Sequence, residues 1–156
     1  MMKSKTIYAI VSVFILLLIS ASGVANAEDM GVKEVVRAYN KALIQAYNTL
    51  RFDSLRRVVT EKEYNKVTIY IKSYAGMKQK LRAGLTDLVI KDVEKGSRKA
   101  SVSTSEKWWY ERVDMKTGSI LVPKSIYNYE MRYDLVKDEM GKWRVDKLKI
   151  LREERQ

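Results

Sequence analysis

Apolar residues recur at helical spacing in the chain that follows the N-terminal apolar run. Residues 31–50 carry them at i, i+3, i+4 and i+7 positions, which predicts an amphipathic helix. Asp53 is a favourable N-cap for a short second helix. Thr60 and Glu63 form a capping-box pair that opens a third helix, which is expected to end near Gly84. The apolar stripe of this third helix consists of Tyr64, Val67, Ile71, Tyr74, Met77 and Leu81.

From residue 85 onward the apolar period becomes two, which predicts β-strands. Three short turns, each containing a glycine, separate four strands, which are expected at residues 85–94, 98–113, 125–137 and 142–151. Three helices followed by such a meander predict an α+β fold with a four-stranded antiparallel sheet. Because these strands exceed the usual length of about 5–6 residues, the sheet is expected to twist and curl around the helices.

Two local features predict irregularities in the sheet. Pro123 has no N–H to donate, so it is expected at the start or in a bulge of the third strand. In the last strand, Trp143 and Val145 share one parity, whereas Leu148 and Ile150 have the other. If all four are buried, a β-bulge near residues 146–147 must reset the phase; the alternative is that the strand edge is covered on both sides.

The N-terminus predicts an export signal over residues 1–27. Two lysines precede an apolar run at residues 7–19, and an Ala-Asn-Ala sequence predicts cleavage between Ala27 and Glu28. The run is shorter than the roughly 20 residues of a spanning helix, which favours a cleaved signal. An uncleaved membrane anchor is the alternative. The chain has no cysteine, which excludes a lipoprotein signal and a disulfide-dependent fold. The predicted location is periplasmic or secreted.

The remaining residues, 28–156, are enough for a single domain. The whole chain has a formal net charge of +11, and the signal contains two of the lysines and no acid, so the domain carries a charge near +9. Its basic residues are spread along the chain, which is typical of a solvated surface. The alternative is attraction to an anionic envelope surface. Nucleic acid is not an expected partner of an exported protein.

The residue types present limit the chemistry. The chain has neither histidine nor cysteine, which excludes catalytic triads and metal sites built on these side chains. It contains no Gly-rich phosphate-binding motif. No catalytic residue, cofactor or metal is therefore expected, and an enzyme of this sequence would depend on carboxylates, tyrosines and lysines.

Two segments, EVVRAYNKALIQAYNTLRFDSL and YEMRYDLVKDEMGKWRVDKLKI, resemble the nuclear-transport-factor-2-like superfamily, also called SnoaL-like or cystatin-like α+β. The resemblance extends over about residues 31–152. It implies three helices and a bent antiparallel sheet that enclose a conical pocket. Exported members are often non-enzymatic, whereas others are isomerases, dehydratases or cyclases. The expected function is an exported binding or assembly module, with an isomerase- or dehydratase-like enzyme as the alternative.

Aromatic residues predict the lining of this pocket, where an apolar or aromatic small molecule or a protein partner would bind. In the second strand, Glu106 shares its parity with Val102 and Trp108, so it is expected on the concave face. A buried glutamate requires partners; the alternative is that it is solvated or paired with a basic side chain. The candidate pocket residues are Tyr39, Tyr47, Glu106, Trp108, Tyr110, Tyr129 and Tyr133.

Trp109 has the opposite parity to Trp108 and follows an otherwise polar file that includes Ser105 and Lys107. It is therefore expected on the outer face of the sheet. The resemblance implies that this face often pairs with another subunit, and tryptophan is a favoured interface anchor. Trp109 is thus the candidate contact for a homodimer or another protein. The alternative is that the 114–123 segment covers it.

Overall fold

The computed structural model describes residues 30–156, so the predicted signal peptide and its cleavage site at Ala27 and Glu28 lie outside the described residues. Within this range, three helices precede four strands. The strands form one sheet in the order β1-β2-β3-β4, and every neighbouring pair is antiparallel. The predicted α+β class is confirmed. The elements are α1 Val32–Thr49, α2 Asp53–Arg56, α3 Glu61–Gly76, β1 Gln79–Lys95, β2 Lys99–Asp114, β3 Ile120–Lys137 and β4 Trp143–Arg155.

The capping box at the start of α3 forms only in part. The Thr60 hydroxyl accepts a hydrogen bond from the backbone N–H of Glu63 at 3.4 Å, as the sequence predicts. The backbone N–H of Thr60, however, donates to the carbonyl of Val145 at 2.9 Å instead of to a Glu63 oxygen. The Glu63 side chain is therefore free to turn into the interior, where it is 2% exposed.

The predicted end of α3 near Gly84 is wrong, because the helix stops at Gly76. Lys78 then adopts a left-handed backbone conformation with φ of 58°, which directs the chain into β1. β2 continues to Asp114, and β1 begins early enough to pair with that far end, so that Leu81 lies opposite Arg112. Leu81, which the sequence places in the last turns of α3, thus belongs to β1. Met77, which the sequence also places there, lies on the surface and is 55% exposed.

Both predicted irregularities of the sheet are present. Pro123 lies in the part of β3 where the register with β2 shifts, between Val122 and Ser125. In β4 the register with β3 shifts at Asp146, so the apolar side chains beyond it change parity. Leu148 consequently packs against the core. The next apolar residue of that parity, Ile150, remains 55% exposed because the sheet extends past the helices there.

The helices cover the concave face of the curled sheet and close parts of both sheet edges. At the β1 edge, the Asn48 amide donates to the Ala83 carbonyl at 2.8 Å and accepts from the Ala83 N–H at 3.4 Å. At the β4 edge, Val59 forms an isolated parallel bridge with Val145. The core lies between α1, α3 and the concave face.

Candidate functional site: an aromatic cavity at the open end of the cone

A cavity of about 650 Å³ lies between α1, α3 and the concave face of the sheet. This volume is within the range of about 300–1,000 Å³ that small-molecule sites occupy. The cavity lies towards the end where the strands project beyond the helices, with half-exposed Tyr70 and Ile150 among its lining. Its aromatic lining consists of Tyr39, Tyr47, Tyr70, Tyr74, Trp108, Tyr110, Tyr127 and Tyr129.

The aromatic rings form a continuous wall. Trp108 and Tyr110 stack with their centroids 5.8 Å apart, and Tyr127 and Tyr129 stack at 5.9 Å. Edge-to-face contacts join Tyr110 to Tyr127 at 5.8 Å and to Tyr47 at 6.0 Å. Such pairs stabilise one another beyond the area that they bury. The wall is therefore a packed surface in which each of these rings is held by its neighbours.

Burial extends to higher pH the range over which the tyrosine hydroxyls of this wall stay protonated. It raises the pKa of Tyr129 to about 12. Burial likewise raises the pKa values of Tyr47 and Tyr110 well above the ordinary range for tyrosine. At neutral pH these side chains therefore present neutral hydroxyl groups that donate or accept hydrogen bonds.

Glu106 lies behind the cavity and is 2% exposed. Its Oε1 accepts hydrogen bonds from the Tyr133 hydroxyl at 2.6 Å and the Thr104 hydroxyl at 2.7 Å, with the Asn40 amide at 3.4 Å. Its Oε2 accepts from Trp108 Nε1 at 2.7 Å. Both carboxylate oxygens are thus occupied by donors from three elements of the fold, which is how a buried carboxylate is satisfied.

Glu63 is the second buried carboxylate and, unlike Glu106, belongs to the cavity lining. Its Oε1 accepts a hydrogen bond from the Tyr39 hydroxyl at 3.4 Å, and its Oε2 lies 3.3 Å from Lys66 Nζ. Burial raises the pKa of Glu63, and the Lys66 ammonium opposes that shift. Burial, followed by the charge of Glu63, raises the pKa of Tyr39.

Arg112 belongs to the lining at the opposite side of the cavity from α3, on β2. Its Nε is buried and has no hydrogen-bond partner among the described residues. The two residues that pair with it across the sheet are Leu81 on β1 and Val122 on β3. The guanidinium is consequently a cation in a largely apolar stretch of the wall.

The structure divides the residues predicted for the pocket into two groups. Five of them line the cavity, namely Tyr39, Tyr47, Trp108, Tyr110 and Tyr129. Glu106 and Tyr133 lie behind this lining in the hydrogen-bonded network. The concave position that parity predicts for Glu106 is correct, and its partners are neutral side chains and not basic ones.

Seven polar or charged residues of the cavity lining, other than tyrosines, were not predicted: Asn40, Glu63, Lys66, Glu111, Arg112, Ser125 and Glu153. The i, i+3 spacing of Glu63 and Lys66 was a usable signal for an ion pair on one helix face. Arg112 continues the parity of Trp108 and Tyr110, so the same count along β2 indicates its concave position.

Trp109 lies on the outer face, where parity predicts it. Its ring lies against Gly84 so closely that a Cβ at that glycine would be 2.3 Å from the Trp109 Nε1. Lys124 Nζ lies 4.2 Å from the ring centroid, in cation–π contact. Trp109 and Ile126 are cross-strand partners and share a shallow depression with Lys107. The indole is half-buried, and its contacts here are with its own sheet neighbours.

The fold is similar to that of several solved structures. The intermembrane space region of the chloroplast protein ARC6 superposes with a TM-score of 0.63 at 15% identity, covering 79% of this chain and 98% of that one. The Kfla4162 protein from Kribbella flavida gives 0.48 at 14% identity, with 78% and 89% covered. A ketosteroid isomerase-like protein from Erwinia carotovora atroseptica gives 0.46 at 15% identity, with 73% and 90% covered.

These likenesses concern the fold alone, because the identities are low. No protein-family model and no curated protein matches the sequence. The observed order of helices and strands is the one that the resemblance to the nuclear-transport-factor-2-like superfamily implies, so that prediction is confirmed for the fold.

The described part of the chain contains no helix with the length and apolar character to span a membrane. Across residues 30–156, no cluster of three or more acidic side chains has the arrangement of a metal site.

Proposed function

We propose that this chain is a non-enzymatic binding module whose conical cavity accepts an apolar or aromatic group. The observation that carries the proposal is the cavity of about 650 Å³ with a wall of stacked and edge-to-face aromatic rings. Ligand pockets are typically apolar and aromatic, with a small number of polar groups that orient the ligand. The partner class is a small apolar or aromatic molecule or a protein segment that presents such a group.

The state of the buried carboxylates favours binding over catalysis. A general base needs an oxygen within reach of a substrate proton. Both oxygens of Glu106 are occupied by donors, namely Thr104 and Tyr133 at Oε1 and Trp108 at Oε2, and Glu106 lies outside the cavity lining. Glu63 is held between Tyr39 and Lys66.

The test is the binding of 1-pyrenebutanol, a neutral aromatic probe, measured by energy transfer from tryptophan to pyrene. Wild-type protein is expected to bind it saturably and with one site. Ser125→Trp places a large ring in the lining of the cavity and is expected to weaken binding by at least about tenfold, which corresponds to about 1.4 kcal/mol.

Ser105→Trp is the matched control, because it introduces the same ring on β2 at a position with the parity of Trp109. It is expected to bind the probe like wild type. An absence of saturable binding by wild type, or equal losses in the two variants, would contradict the proposal.

An isomerase- or dehydratase-like enzyme is the second candidate, and Glu63 is the observation that favours it. This residue is a buried carboxylate in the cavity lining with a raised pKa and a tyrosine hydroxyl nearby. An enzyme of this kind would lose turnover by at least about 100-fold in Glu63→Gln while keeping probe affinity. Turnover that survives this change would remove Glu63 from the reaction.

We also propose that the protein works after export, as its N-terminus predicts. Intact-mass measurement of the protein recovered from its own host is expected to give a chain that begins at Glu28. A mass that includes residues 1–27 would instead favour the membrane-anchored alternative.

The outer face supports a separate proposal of self-association through Trp109, because its apolar pair with Ile126 interrupts a polar surface. Trp109→Ala is expected to lower self-association in analytical ultracentrifugation by about tenfold or more. Lys124→Ala is the control, since it removes the cation and leaves the indole. A monomeric wild-type protein would overturn this proposal.

A further inference from the structure

Arg112 is the lining residue whose charge the described part of the protein does not balance. It takes part in none of the ion pairs formed among residues 30–156. Its Nε is buried without a hydrogen-bond partner. A buried polar group without a partner is costly, and a native protein that retains one has a reason to do so.

The other charged groups of the lining do not explain this arginine. Glu63 is paired with Lys66, and Glu111 is paired with Arg82 at 3.1 Å. Glu153, on β4, is the remaining acidic side chain of the lining and lies beyond ion-pair distance of any described basic group. The cavity therefore holds one guanidinium that is available to a ligand beside the aromatic wall.

We infer that the ligand is an amphipathic carboxylate, whose acid group binds Arg112 and whose apolar or aromatic body lies against the tyrosine wall. This inference rests on the proposed binding function and names its ligand class. A guanidinium presents its N–H groups as a planar fork that matches the two oxygens of a carboxylate. Its cross-strand neighbours, Leu81 and Val122, are apolar and offer no side-chain acceptor to that fork.

The wall supplies the second half of the recognition. Tyr110, which is adjacent to Arg112 on the concave face, stacks on Trp108 and contacts Tyr127 edge to face. A ligand anchored at Arg112 would run its apolar body along these rings. A neutral molecule of the same shape would contact the rings and leave the guanidinium unpaired.

The experiment compares 1-pyrenebutyrate with 1-pyrenebutanol, which differ at the acid group, at pH 7. The quantity measured is the ratio of the dissociation constant of the alcohol to that of the acid. Wild type is expected to prefer the acid by at least about tenfold, because a hydrogen bond to a charged group is worth about 1.5 kcal/mol or more. Arg112→Met is expected to lose that preference and to keep its affinity for the alcohol.

Three further variants keep the test decisive if Arg112→Met folds poorly. Arg112→Lys retains the charge without the planar fork and is expected to give an intermediate ratio. Arg82→Met removes an arginine on the neighbouring strand that already has a partner in Glu111, and it should leave the ratio unchanged. Glu153→Gln removes the remaining acid of the lining and should keep or increase the preference for the acid probe.

The outcomes separate the two proposals. If wild type binds neither probe, the binding function fails and this inference fails with it. If wild type binds the alcohol but shows no preference for the acid, the binding function stands and the inferred carboxylate ligand is wrong. The same conclusion follows if Arg112→Met and Arg112→Lys both keep the full preference for the acid. Loss of the preference in Glu153→Gln would also overturn the role of Arg112.

Discussion

The two ends of the cone differ in how completely their buried polar groups are hydrogen-bonded. Behind the cavity lining, at the closed end, Glu106 accepts hydrogen bonds from Thr104, Trp108 and Tyr133. At the open end, a cavity of about 650 Å³ remains, and Arg112 has a buried nitrogen without a partner. At the closed end the buried carboxylate has hydrogen-bond partners on both oxygens, as expected in a structural core. At the open end a buried polar group lacks a hydrogen-bond partner, as expected in a binding site.

This difference teaches that burial alone does not locate function. Glu106 and Glu63 are equally buried, at 2% exposure, yet only Glu63 belongs to the cavity lining. What distinguishes them is the identity of their partners. Glu106 is surrounded by neutral donors of the core, whereas Glu63 is paired with Lys66, whose side chain is 60% exposed.

The largest expected effect is at the closed end. Glu106→Ala removes the acceptor of the buried Thr104 hydroxyl and of Trp108 Nε1, and leaves the Tyr133 hydroxyl with Asn40 Oδ1 at 3.2 Å, so it should lower the free energy of unfolding by about 3 kcal/mol or more. Urea unfolding followed by tryptophan fluorescence measures this loss. Glu153→Ala is the control at the open end, with an expected change of about 0.5 kcal/mol or less. Similar losses in both variants would remove the distinction between the two ends.

An intermediate effect is expected from removing single hydroxyl groups. Tyr133→Phe deletes the donor that lies 2.6 Å from Glu106 and should cost about 1–2 kcal/mol of unfolding free energy. Tyr129→Phe makes the same chemical change in the cavity wall and should cost about 0.5 kcal/mol or less. Thermal unfolding of the pair compares the ends directly. A larger loss for Tyr129→Phe would reverse the assignment of the structural end.

The smallest expected effect concerns the pH dependence of stability. Because burial raises the pKa of Glu63, the folded state holds this proton to higher pH than the unfolded state does. The contribution of protonated Glu63 to the free energy of unfolding is therefore fully present below the ordinary glutamate pKa of about 4.3. It is lost as the pH rises through the raised pKa of the folded state. Glu63→Gln should remove this slope and become more stable relative to wild type as the pH rises, by about 1 kcal/mol or less.

Urea unfolding of wild type and Glu63→Gln at pH 4, 5, 6 and 8 measures that difference. Glu61→Gln is the control, because this glutamate lies on the same helix with a side chain that is 63% exposed. A constant difference between wild type and Glu63→Gln across these pH values would show that Glu63 does not titrate with the fold.

Parity along the strands was the most informative feature of the sequence. It placed Trp108 and Glu106 on the concave face and Trp109 on the outer face, because successive side chains of a strand point to opposite sides. It also predicted the bulge at Asp146, since the apolar positions of β4 change parity there. These inferences required no knowledge of distant contacts.

The inferences that failed depend on long-range pairing. The helical spacing of Met77 and Leu81 favoured a longer α3, but the pairing of β1 with the far end of β2 overrides that local preference. The local pattern that identified Glu63 as a capping residue did not reveal that the Thr60 N–H bonds to Val145 instead. The partners of Glu106 come from α1, β2 and β3, and one sequence does not specify which donors meet.

The amide of Asn48 has a consequence for how copies of this protein meet. By offering both a donor and an acceptor to Ala83, it takes the place that a neighbouring strand would occupy on the β1 edge. The bridge at Val59 does the same for the start of β4. An exposed strand edge is a template for polymerisation. With these positions occupied, no further strand can pair with the sheet edges at Ala83 or at Val145.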